Sequence, residues 1–135
     1  MPHLVILYTP QLDAEADLPS LCRALADTLL AVRDEAGAPV FPVGGTRVLA
    51  YPAAHHAVAD GSGDHAFMYL NLRMGRGRSA ALHQRVGALL AACVKDRMAP
   101  VMARRLMGLT VQVDEGHEVF DARIGNLHAH FAREA

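Results

Sequence analysis

The chain has no tryptophan, only two cysteines, and aromatic residues at 5% of its 135 positions. So few cysteines exclude a disulfide-stapled scaffold, and the spacing forms no thiolate zinc motif. Cys22 and Cys93 fall inside helix-like apolar patterns, where a free cysteine reads as a small buried hydrophobe. Long apolar runs are also lacking. Nothing approaches the ~20 consecutive apolar residues of a membrane span, and no basic region followed by an apolar stretch and a cleavage site opens the chain. No membrane partner is expected, and the cytoplasm is the expected location. Charge of one sign is lacking too: 13 Lys and Arg against 14 Asp and Glu leave a net charge of −1, which excludes a generic nucleic-acid surface. Any basic site must be local.

What is present is a composition able to fold alone, 52% apolar and 20% charged, at a length suited to one domain over residues 1–135. His3 to Tyr8 reads as a buried strand. Asp17 is placed to cap a helix with Pro19 in its first turn and Leu18, Leu21, Leu25, Leu29 and Val32 on one stripe, before Gly37 and Pro39 stop it. Thr46 to Tyr51 reads as a second strand, parallel to the first across a right-handed crossover.

After the loop-like PAAHHAVADGSGDH the plan repeats. Ala66 to Met74 is a strand, GRGRS a turn, and Ser79 caps a helix carrying Leu82, Val86, Leu89, Leu90, Cys93 and Val94, which Pro100 breaks or bends. Leu106 to Val113 supplies the last strand. Two βαβ units imply an α+β domain: a four-stranded mixed sheet with two helices on one face. The apolar residues of the other face then need a partner surface, and other copies of the chain are the simplest one.

Chemistry concentrates in three places. Pro2 follows the initiator, and small second residues permit methionine removal, which would leave a secondary amine able to take and return a proton near neutrality. From the dipeptide alone, the favoured reading of Pro2 is a strand-end proline whose missing N–H is harmless. Arg47 follows Gly-Gly-Thr, and Arg76 and Arg78 lie in GRGRS, where glycines allow close approach and guanidinium groups suit carboxylates. GRGRS is neither a Walker loop nor a dinucleotide fingerprint, and read alone it is also a solvated basic turn. Among the eight histidines, His55 and His56 are adjacent and diverge, while His128 and His130 would share a face if LHAHF were a strand; with His117 or His3 only as distant third ligands, no metal is expected. Asp13, Glu15 and Asp17 read as a solvated loop leading into the helix cap, and the adjacent Asp114 and Glu115 do not suggest an acid/base pair.

The stretches MPHLVI, EADLP at 15–19, FPVGGTR ending at Arg47, ADG with DHAF at 59–67, GRGRS at 75–79 and GNLHAHF run in order along the chain. With them the sequence resembles the 5-carboxymethyl-2-hydroxymuconate Δ-isomerase family of the tautomerase superfamily. The resemblance implies a cofactor-free ketonisation: the 2-hydroxyl proton of a hydroxymuconate leaves and a proton reaches a remote carbon of the conjugated system. It implies Pro2, freed of Met1, as general base and acid, Arg47 and Arg78 as ligands of a small polycarboxylate, and a homotrimer; Arg76 has no firm counterpart. Leu7 and Tyr8, RDEAGAPV and the AREA tail depart from the family pattern. A decarboxylase or hydratase of the same superfamily, and a non-catalytic trimeric binder of small carboxylates, remain the alternatives.

Overall fold

The computed structural model describes residues 1–134. Strand β1 (His3–Tyr8) leads through a single turn, α1 (Leu12–Glu15), into helix α2 (Leu18–Leu30) and then β2 (Arg47–Pro52). The second half repeats this as β3 (Ala66–Met74), α3 (Ala80–Met102) and β4 (Met107–Glu115), and a terminal helix α4 spans Leu127–Glu134. The four strands run in the order β2-β1-β3-β4. Within each half the strands are parallel, and β1 joins the halves by pairing antiparallel with β3. The sheet is therefore mixed, as two abutting βαβ units require.

Period-2 burial divides the sheet into two faces. Leu4, Ile6 and Tyr8 of β1 and Ala66, Met68, Leu70, Leu72 and Met74 of β3 are buried in one core with Leu21, Leu25 and Leu29 of α2 and Val86, Leu90, Val94 and Met98 of α3. The alternate residues face away from both helices. There Phe67 occupies the room that Gly108, its partner on β4, leaves open, since a Cβ at Gly108 would lie 2.8 Å from the ring. Tyr69 donates to Gln112 at 2.7 Å and Asn71 to Asp114 at 2.7 Å, so polar cross-strand pairs lie beside exposed Leu7, Leu49 and Tyr51.

Both helix starts follow the local chemistry. Asp17 accepts from the Ser20 N–H at 3.0 Å and Ser79 from the Leu82 N–H at 3.1 Å. Several expectations need correction. The Asp13–Glu15 segment is the helical turn α1 rather than a solvated loop: Leu12 is buried, Asp13 accepts from the Tyr8 hydroxyl at 2.6 Å, and Glu15 meets Arg104 and Arg105. Pro100 does not break α3, which continues to Met102; the proline sits in the last turn, where burial of Met98 and Val101 offsets one missing hydrogen bond.

Leu89 is 42% exposed and lies off the buried stripe, and both cysteines are half-buried rather than enclosed. LHAHF is helical, so His128 and His130 point to different sides. RDEAGAPV folds on itself, Asp34 accepting from the N–H groups of Ala36 and Ala38, both at 2.9 Å. Of the AREA tail, Ala135 lies outside the described residues.

Candidate active site

The candidate site gathers at the sheet end at which β1 begins. Parallel and antiparallel register place Arg47 of β2, His3 of β1 and Arg73 of β3 side by side in one row, on the face away from the helices. Arg47 Nε donates to His3 Nδ1 at 2.8 Å, which holds the guanidinium at the row and requires the imidazole proton on Nε2. Burial and the neighbouring Arg47 charge both lower the His3 pKa below its ordinary 6.5, favouring that neutral form.

Beside the row opens a cavity of about 440 Å³ lined by Met1, His3, Gly44, Arg47, Arg73 and Gly75 from the sheet end, and by Glu118, Asp121, Arg123, Leu127 and His128 from the segment after β4. Glycines shape its inner wall. A Cβ at Gly45 would lie 2.5 Å from Met1 Sδ, and one at Gly75 would lie 3.7 Å from the Met1 nitrogen. The chain start is thus tucked against two glycine-bearing turns, one from each half. Gly77, at φ +98°, needs the left-handed region to close the GRGRS turn before α3.

The amino group at this position is a weakened acid-holder. Burial, then Arg123, Arg78 and Arg47 lower its pKa from 8.0, and only Asp121 opposes them. In the chain as described that amine belongs to Met1, while Pro2 is buried beneath it with its nitrogen in a peptide bond.

The residues singled out in the sequence are therefore brought together unequally. Arg47 lines the cavity, whereas Pro2 is buried next to Met1, the chain-start residue that lines it. Arg78 is half-buried behind Gly75, its guanidinium 5.2 Å from the Phe41 ring and donating to the Val40 and Gly75 carbonyls at 3.2 and 3.3 Å; it reaches the amine by its field. Arg76 Nε donates to the Gly116 carbonyl at 2.8 Å and so anchors the segment that walls the cavity.

Sequence reading missed Arg73, Arg123, Glu118 and Asp121. The alternation along β3 does put Arg73 on the open face, but only strand register shows that it stands next to His3. Residues 116–126 carry no periodicity that would have marked them. His128 enters the cavity and His130 does not, and among the described residues no three potential metal ligands come together.

Comparison with known proteins shows the family and the fold. A family model described as 5-carboxymethyl-2-hydroxymuconate isomerase matches residues 2–131. A 5-carboxymethyl-2-hydroxymuconate Delta-isomerase of Escherichia coli is 31% identical over 131 residues, covering 97% of this chain and 99% of the relative. The crystal structure of a 5-carboxymethyl-2-hydroxymuconate delta-isomerase superposes with a TM-score of 0.93 at 55% identity, over 97% of this chain and 93% of that one. The isomerase structure from Deinococcus radiodurans R1 gives 0.85 at 35% identity, over 96% and 93%. A fused 4-OT symmetric trimer, 19% identical at a TM-score of 0.53 with 97% of each chain covered, shares the fold alone. With its two βαβ units, its tautomerase-like sheet and motifs matched almost from end to end, the chain belongs to the 5-carboxymethyl-2-hydroxymuconate isomerase family.

Proposed function

We propose that the protein is a cofactor-free isomerase that ketonises 5-carboxymethyl-2-hydroxymuconate or a related 2-hydroxydienoate, with Pro2 as general base and acid once Met1 is removed. The observation that carries this reading is the environment of the amino terminus: a partly buried amine, at a cavity, in the field of Arg123, Arg78 and Arg47. Removal of Met1 shifts the chain start by one residue, about 3.8 Å, so a Pro2 amine feels the same cations and the same loss of water. Both effects disfavour its protonated form, leaving a base near neutral pH. It takes the 2-hydroxyl proton and returns a proton to the remote carbon, and no atoms are gained or lost overall.

Arg47 and Arg78 divide the remaining work. Arg47, held by His3 at the cavity, binds a substrate carboxylate directly. Arg78 adds positive potential behind Gly75, where negative charge develops on the dienolate oxygen, and its carbonyl contacts of 3.2 and 3.3 Å are long enough to yield to a carboxylate.

The working form is a homotrimer in the cytoplasm. Leu7, Leu49 and Tyr51 on the open sheet face, and Val119, Phe120 and Ile124 after β4, are exposed apolar groups that neighbouring copies would cover. Among the described residues no helix is long and apolar enough to cross a membrane.

Intact mass of the purified protein, followed by an ultraviolet assay of ketonisation, tests the reading. Protein lacking Met1 is expected to convert 5-carboxymethyl-2-hydroxymuconate, and Pro2→Ala, which keeps a primary amine, to lose on the order of 10²-fold in kcat. Processed protein inert towards every 2-hydroxydienoate tried would overturn the isomerase reading, and fully active Pro2→Ala would remove proline from the mechanism.

A further inference from the structure

We infer that Arg73 and Arg123, which line the same cavity as Arg47, form a second carboxylate subsite, and that this subsite selects substrates by their number of carboxylates. The inference rests on the isomerase reading for its substrate class. The compound named above carries three carboxylates, whereas Arg47 and Arg78 provide only two guanidinium groups for them. Both remaining arginines on the cavity wall have the properties a third partner needs.

Arg73 is fixed by β3, one place along the row from His3, and lines the cavity. Arg123 lines the cavity from the segment after β4, which Arg76 anchors to the GRGRS turn and the Gly116 N–H anchors to the end of β3 by donating to the Met74 carbonyl at 2.8 Å. Each is paired with a carboxylate that also lines the cavity: Arg73 with Glu118 at 3.4 Å, Arg123 with Asp121 at 3.1 Å. All four side chains are about half exposed, so these pairs are worth little and are easily exchanged. Asp114, in register with Arg73, already accepts from Asn71 and competes only in part.

An incoming carboxylate that displaces Glu118 or Asp121 gains a guanidinium partner suited to bidentate binding. Arg123 has a second effect, because it is the first of the charges lowering the amine pKa. Engaging it with substrate partly cancels that field. A substrate with a distal carboxylate is therefore held more tightly while the amine becomes a slightly stronger base.

The test compares Arg73→Gln, Arg123→Gln and Glu118→Gln in the processed protein. Steady-state kinetics are read on 5-carboxymethyl-2-hydroxymuconate and on a 2-hydroxydienoate with one carboxylate; calorimetric binding of tricarballylate, a saturated tricarboxylate, is read in parallel. Both arginine variants are expected to raise KM at least tenfold for the three-carboxylate substrate and less than twofold for the one-carboxylate substrate, and to weaken tricarballylate at least fivefold. Glu118→Gln, which frees Arg73, is expected to lower KM for the three-carboxylate substrate.

Equal rises in KM on both substrates, or unchanged tricarballylate binding, would overturn the subsite. If wild-type protein ketonises neither compound but the arginine variants still lose tricarballylate, the subsite stands and the isomerase reading falls.

Discussion

At the scale of single residues, the contact between Arg47 and His3 decides how the site responds to pH. His3 Nδ1 accepts from Arg47 Nε only while the imidazole is neutral, and Arg73 stands beside it in register, so protonation removes an acceptor and adds a third positive charge to the row. The folded pKa is depressed, with burial the larger cause and Arg47 the smaller. The stability this contributes is complete above the unfolded value of about 6.5 and is lost as pH falls through the folded value. An NMR titration is expected to place the His3 midpoint below 6.5, and Arg47→Ala to raise it part of the way back. A midpoint at or above 6.5, or one indifferent to Arg47, would show that the hydrogen bond does not persist in solution.

At the scale of elements, helix α2 shows what a local signal is worth. Asp17 satisfies the Ser20 N–H, and the neighbouring Pro19 gives up a donor the first turn does not use. Asp17→Ala is expected to destabilise the fold by about 1 kcal/mol, seen in calorimetry as a fall in Tm of roughly 3–5 °C. No change would mean that water caps the helix equally well.

Elements of this kind were legible because their causes are local. Strand β1 and strand β3 match the sequence reading to the residue, and α2 and α3 begin where Asp17 and Ser79 say they should. Pro100 misled because its effect depends on position: in a final turn followed by Met102 it removes little, while Val101 beside it is buried against the core. LHAHF misled because alternating histidines say nothing about backbone state, and the apolar spacing of Leu127 and Phe131, four apart, is helical.

At the scale of the whole molecule, the sheet keeps one face bare. Leu49 and Tyr51 are 40% and 50% exposed on β2, an edge strand, and Phe120 is 84% exposed in the segment after β4. Such groups are explained if copies of the chain assemble through this face. Sedimentation is expected to give a species of three 14.5 kDa chains, and Leu49→Arg to shift it towards monomer by placing a charge in the contact. A wild-type monomer would refute the assembly.

Legibility ends at this scale. Arg47 could be picked out beside its glycines, but Arg73 and Arg123 are 50 residues apart and acquire a common purpose only through strand register and the return of residues 116–126 over the sheet end. No local pattern encodes such a meeting.

The seat of Met1 against Gly45 has a practical consequence for anyone preparing this protein. Residues fused ahead of Met1 would grow from inside the cavity rather than from a free surface, so an affinity tag at the amino end obstructs the very site to be assayed. With Pro2 as the proposed base, specific activity becomes a measure of processing: in a preparation from which methionine has been only partly cleaved, the uncut fraction is expected to be inactive, and turnover numbers need correction by mass spectrometry before variants are ranked.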